Sequence, residues 1–314
     1  MGEQAKKIGE KLEGYGEKLF SGFGWTELTR DKEIKCIRKG AHKKRTHGID
    51  LLMSFTNPYL GGKQAIVVEC KNRQMKGITQ EKMNVWLNEL INTIECAQSA
   101  EEMEDINLTN TNLCTGMLLV HANDGLDEKT FISYLRNMKV PNRRNPINIF
   151  VAGNKEINRW NSLRDKIQRD YGDKFRFVYP SIEGSNKEIG EYITVNQLFS
   201  RFIFAQNIKM EKCEREGEEY SKPIKQKLII SFDKISKESF EYMWSMYKAF
   251  QFQDADQMVF VFYPQNKNDV QYVNENFLKV LRQIKQPIKC EDEKKIQIDF
   301  IDNRDLSPID TEGR

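Results

Sequence analysis

The chain has 314 residues, 39% of them hydrophobic, enough to bury a substantial core as one large domain or two ordinary ones. No apolar run is long enough to cross a bilayer, the N-terminus lacks a signal-peptide h-region, and Lys6 stands where a myristoylation motif needs serine or threonine. Six cysteines, Cys36, Cys70, Cys96, Cys114, Cys213 and Cys290, are scattered without a C-x-x-C pair; this argues against a zinc site or a disulfide framework and favours reduced thiols in the cytoplasm.

In chain order, Ile8, Leu12, Tyr15 and Leu19 recur at helical spacing and predict a helix over residues 3–21, with Glu10, Glu13 and Glu17 on its polar side. A strand is expected over 26–37. The net charge of +3 is too small to imply a polyanionic partner by itself, but its distribution is uneven. Six basic residues, Lys35, Arg38, Lys39, Lys43, Lys44 and Arg45, fall together with His42 and His47, and no acidic residue occurs between Glu33 and Asp50. Lysine and arginine gain affinity for a polyanion by releasing its counterions, so this loop, with Arg73 and its neighbours Asn72 and Lys76, is the expected nucleic-acid surface.

Two apolar runs, over 49–55 and 64–72, flank the turn-rich segment Asn57-Pro58-Tyr59-Leu60-Gly61-Gly62 and predict a β-hairpin. Symmetric pairing about that turn sets Asp50 across from Glu69, and Lys71 shares their face by strand alternation. Two neighbouring carboxylates among apolar residues repel each other and resist desolvation, so a compensating divalent cation is expected. Carboxylate oxygens, with the remaining positions left to water and phosphate, describe a Mg²⁺ site of the kind used in phosphodiester chemistry. Lys71 would orient or deprotonate the attacking water and neutralise charge on the phosphorane.

A helix over 79–100 follows, whose Met83, Trp86, Leu87, Leu90, Ile91 and Ile94 read as core packing, and then a strand over 113–121. His121 and Asp124 sit at the end of that strand, where ligands often bind in α/β sheets, although a lone histidine there is more often structural. Beyond residue 125 the pattern alternates: helix 128–138, strand 147–151, helix 157–171, strand 175–179 and helix 195–206. Residues 207–225 are highly charged and read as a linker. Strand 227–232, helix 237–250, strand 258–263, helix 270–285 and strand 296–301 complete the chain. The aromatic residues Tyr242, Trp244, Tyr247, Phe250 and Phe252 are expected to be mostly core, with base stacking or protein binding as the alternatives.

Asp50 early in the second strand, and Glu69-Cys70-Lys71 ending an apolar third strand, resemble the PD-(D/E)XK nuclease superfamily, which includes restriction endonucleases and Holliday-junction resolvases. Ile49 precedes Asp50 where the family pattern has proline. Other acidic-x-lysine tripeptides occur, such as Glu33-Ile34-Lys35, but only Glu69-Cys70-Lys71 faces an aspartate across a hairpin. The resemblance covers roughly the first 125 residues. It implies a restriction-endonuclease-like αβββαβ core with a mixed sheet, followed by further α/β elements. The expected division is a nuclease core over 1–125, an α/β extension of it over 126–206, the linker 207–225, and a C-terminal α/β domain over 226–314.

The resemblance also implies a metal site formed by Asp50, Glu69, Glu17 and the Cys70 carbonyl, binding Mg²⁺ with Mn²⁺ as a substitute. The activity implied is that of an endonuclease, with DNA as the expected substrate, in restriction or anti-phage defence and under a controlling partner. A homo-oligomer is also expected, since duplex cleavage often uses two active sites. Two alternatives stand beside it: an inactive nuclease-fold scaffold that binds nucleic acid, and an RNA-cleaving toxin. The intact Asp50, Glu69 and Lys71 argue against the scaffold.

Overall fold

The computed structural model describes residues 2–106, 108, 111–143, 145–180, 188–215, 218–285 and 287–303. The chain divides into two compact units, the first running to Asn158 and the second beginning at Arg159.

The first unit opens with helix α1 (Gly2–Ser21), followed by strand β1 (Thr26–Lys35), the short helix α2 (Lys39–His42), and strands β2 (Thr46–Asn57) and β3 (Gly62–Arg73). Helix α3 (Gln80–Ala97), strand β4 (Thr111–Ala122), helix α4 (Glu128–Arg136) and strand β5 (Asn148–Ala152) complete it. The sheet order is β1-β2-β3-β4-β5, antiparallel from β1 to β3 and parallel from β3 to β5. This is the mixed αβββαβ core the resemblance implies, with β5 added at the far edge. The hairpin turns where Gly61 takes a φ of +64°, a conformation glycine adopts without a Cβ clash.

Helix α3 forms because its first N–H groups are capped by the Thr79 side chain, which accepts from the Lys82 N–H at 3.3 Å. Its apolar residues Met83, Trp86, Leu90 and Ile94 pack with Leu52, Ala65 and Val67 into one core. Each such burial stabilises the fold by about 1.5–3 kcal/mol. The helix lies close on β4 because Gly116 has no side chain: a Cβ there would meet Ile94 Cδ1 at 2.7 Å. Helix α1 covers the opposite face, where a Cβ on Gly16 would meet the side chains of Leu51 at 3.4 Å and Leu119 at 3.6 Å.

Helix α5 (Asn154–Lys166) contains the division between units. In the second unit, strands β6 (Arg176–Tyr179) and β7 (Glu188–Gly190) lead to helix α6 (Val195–Phe199), strands β8 (Phe202–Arg215) and β9 (Glu218–Ser231), and helix α7 (Lys237–Ala249). Strand β10 (Gln257–Phe262), helices α8 (Lys267–Gln283) and α9 (Cys290–Glu293), and strand β11 (Ile296–Phe300) follow. The six-stranded sheet has the order β11-β10-β9-β8-β6-β7, with β9, β10 and β11 parallel.

Three expectations are corrected. Residues 207–215 and 218–225 are not a linker but the outer parts of strands β8 and β9, which pair from Phe202↔Ser231 to Arg215↔Glu218. A two-stranded ribbon satisfies its own backbone while both faces carry charge, so charge density alone does not exclude a strand there. The helix expected over 195–206 ends at Phe199, because Phe202-Ile203-Phe204 alternate into β8. The segment 126–206 does not extend the first sheet as a whole: β5 joins it, whereas β6, β7 and β8 belong to the second. The aromatic helix is core, with Trp244, Tyr247 and Phe252 buried, and only Tyr242 strongly exposed at 61%. No helix among the described residues is long and apolar enough to cross a membrane.

Candidate active site

The ladder between β2 and β3 runs from Asn57↔Gly62 up to Leu51↔Val68 and stops there. One residue further, the Asp50 side chain takes over. Its Oδ2 accepts the Cys70 N–H at 2.7 Å, so a carboxylate replaces a main-chain carbonyl where the strands part. That bond fixes the carboxylate and leaves Oδ1 for another partner. Leu51 and Leu119 face α1, so alternation turns Asp50 to the α3 face. There Val67, two residues before Glu69, already packs with α3.

Glu69 is buried, 6% exposed, and accepts a charge-assisted hydrogen bond from Lys71 Nζ. Burial and then the Asp50 charge, only partly offset by Lys71, push the Glu69 carboxyl up to about 7. Burial also raises Asp50, opposed by Lys71 and by the Cys70 N–H. For Lys71, burial works against the ammonium, but Glu69 and then Asp50 outweigh it and raise its pKa. Two carboxylates against one lysine leave the cluster short of a positive charge, in surroundings that resist the second negative one. Two hard oxygen donors in that condition fit a divalent cation. The Cys70 thiol is buried and held well above its ordinary value, first by burial and then by Asp50. Any ligand from this residue is therefore its carbonyl, as the resemblance implies.

Glu17 is not brought to this face. It pairs with Arg30 at 3.5 Å, accepts from Ser21 Oγ at 3.2 Å, and lies on the helix covering the Leu51 face. The Glu10 side chain lies outside the described residues. No sequence motif points to Glu89 of α3, yet its charge acts on Asp50, Glu69 and Lys71, and it pairs with Lys44 at 2.6 Å. The signal available is topological: the helix after the Glu-x-Lys strand covers that strand's inner face.

Of the basic loop, Lys39, Lys43 and Arg45 are exposed. Arg38 is half-exposed and pairs with Glu95 at 3.5 Å, and Lys44 is held by Glu89. Arg73 is exposed and donates to the Asn72 carbonyl at 3.0 Å. His47 is corrected: at 4% exposure, with Nε2 directed at His42, it is not on the surface. His121 bonds Asn72 at 3.1 Å, and Asp124 accepts the Met75 N–H at 2.6 Å, so both tie the ends of β3 and β4 together.

A mixed sheet with Asp50, Glu69 and Lys71 converging at the parting of two strands defines a PD-(D/E)XK nuclease fold, and the chain's N-terminal half belongs to that superfamily. More narrowly, residues 1–156 match the family model described as the GAPS4 protein PD-(D/E)XK nuclease domain. No curated protein matches the chain.

Proposed function

We propose that this protein is a Mg²⁺-dependent endonuclease that hydrolyses phosphodiester bonds in DNA, acting in restriction or anti-phage defence under a controlling partner. The observation that carries this reading is the Asp50–Glu69–Lys71 cluster around the buried Glu69, in which two carboxylates share one lysine and both are raised.

Asp50, through the oxygen not bonded to Cys70, and Glu69, once deprotonated, would hold the cation together with the Cys70 carbonyl. When bound, the cation would polarise the phosphate and lower the pKa of the attacking water. Lys71, kept protonated by Glu69 and Asp50, acts as a fixed positive charge rather than a base, stabilising charge that builds on the phosphorane oxygens. The exposed Lys39, Lys43 and Arg45 would position the substrate backbone. The match to a nuclease domain of a GAPS4 protein supports the defence context. A homo-oligomer that places two sites on a duplex is part of the same reading.

The test is cleavage of supercoiled plasmid, linear duplex, single-stranded DNA and RNA by the full chain, with Mg²⁺ or Mn²⁺ and with chelator. Cation-dependent cleavage of DNA, lost in Asp50→Ala and Lys71→Ala, is the expected result. Cleavage that persists in both variants overturns the site assignment. Cleavage of RNA alone favours the toxin reading, and duplex binding without cleavage under any cation favours the scaffold.

A further inference from the structure

A second cluster, separate from the carboxylates, lies where the basic loop meets α3. Cys36 follows the end of β1, His42 ends α2, His47 is the second residue of β2, and Cys96 stands one residue before the end of α3. All four are buried, and their ligand atoms lie within 4.8 Å of one another. We propose that Cys36, His42, His47 and Cys96 form a structural zinc site that holds the basic loop against α3.

The distances carry the identification. A tetrahedron with Zn–S of about 2.3 Å and Zn–N of about 2.0–2.1 Å has edges of roughly 3.8 Å between sulfurs, 3.6 Å from sulfur to nitrogen, and 3.3 Å between nitrogens. The protein has Cys36 Sγ to Cys96 Sγ at 3.9 Å, each sulfur to His42 Nδ1 at 3.5 Å, and His42 Nδ1 to His47 Nε2 at 3.3 Å. Hydrogen bonding alone accounts poorly for this convergence. His42 Nε2 lies 3.0 Å from Glu95 Oε2, so its N–H donates there and Nδ1 is left with one lone pair. Two sulfurs and a second imidazole nitrogen are all directed at that lone pair, and a shared cation satisfies them together.

The outer groups fit as well. A carboxylate bonded to the far nitrogen of a ligating histidine fixes its tautomer and orientation. Glu95 is itself compensated, by Arg38 at 3.5 Å and Arg143 at 3.6 Å. Two thiolates and two neutral imidazoles leave a divalent ion with no net charge, which suits a buried position. Zinc is the ion for a tetrahedral S₂N₂ set. The sequence does contain a signal: four residues separate His42 from His47, within the H-x₃₋₅-H spacing of structural zinc sites. The scatter of the cysteines, which argues against zinc along the chain, is undone by folding, which brings Cys96 to Cys36 from 60 residues away.

The test is metal analysis of the full chain purified without chelator, beside Asp50→Ala and the double variant Cys36→Ser/Cys96→Ser. About one zinc per chain is expected in the wild type and in Asp50→Ala, and less than about a tenth of that in the double variant. Zinc that disappears with Asp50→Ala, or is undiminished in the double variant, overturns the proposal. Because loss of the ligands endangers folding, the wild type is also reconstituted with Co²⁺. Thiolate-to-cobalt charge transfer with intense tetrahedral bands supports the site; the weak bands of octahedral cobalt, or a Cys36–Cys96 disulfide found by mass spectrometry, overturn it.

Discussion

Each unit sets a lysine against two carboxylates, and Asp170 in the second is shifted opposite to Asp50 and Glu69 in the first. In the second unit Lys166, with its side chain 7% exposed, meets Asp170 at 2.6 Å and Asp299 at 2.7 Å. Arg169 and, against burial, Lys166 hold Asp170 below the usual carboxylate range. In the first unit one lysine, Lys71, faces two carboxylates, and Asp50 and Glu69 are raised. Two things differ: Arg169 brings a second cation to Asp170, and the second triplet keeps more water. Asp170 and Asp299 keep 29% and 25% of their side chains exposed, whereas Glu69 keeps 8%. A structural ion pair and a site that calls for a cation are separated here by cation supply and solvation together.

The sharpest way to break this comparison is to disarm each triplet. Asp50→Ala and Lys71→Ala are expected to lower cleavage by about 10²–10⁴-fold, and Asp170→Asn by less than about twofold, in a plasmid-nicking assay. Equal losses would show that the contrast between the triplets has no functional meaning.

The next effect is pH dependence. With its carboxyl at about 7, Glu69 must release a proton to bind a cation, so affinity should fall about tenfold for each pH unit below 7 and level off above it. Calorimetric titration of Mn²⁺ from pH 6 to 8 checks this, with Glu69→Gln removing the dependence. Asp170, held low, is ionised across that range and contributes none.

The solvated charges of the basic loop should act more weakly. Reversing Lys39, Lys43 and Arg45 to glutamate should weaken duplex binding and reduce the log–log salt slope by about 1 for each phosphate no longer neutralised, read by fluorescence anisotropy. The smallest change is expected from Glu17→Gln. It removes a partly exposed pair with Arg30, so a shift in stability of less than about 1 kcal/mol in urea unfolding, with Mn²⁺ affinity unchanged, would keep Glu17 out of the site.

Asp50, Glu69 and Lys71 are legible in the sequence because strand alternation and a symmetric turn are local rules, and the register around Gly61 obeys them up to Leu51↔Val68. Most strands and helices of the second unit are legible for the same reason, through their apolar alternation and periodicity. What stays hidden depends on how elements meet. Glu89 and Cys96 lie on the helix packed over the inner face of β3, which no local pattern specifies. Glu17 looks suitable by helical spacing, yet α1 covers the other side of the sheet. The outer β8–β9 ribbon is concealed because a hairpin paired only with itself needs no apolar face.

The Cys70 amide is also a natural probe. Its proton points at Asp50 Oδ2, on a backbone group released from the β2–β3 ladder by the parting of the strands. Its nuclear magnetic resonance frequency therefore follows the state of that carboxylate, moving when Asp50 gains a proton and again when it engages a cation. The fold has built a spectroscopic reporter into the strand itself, one that can be monitored without a substrate.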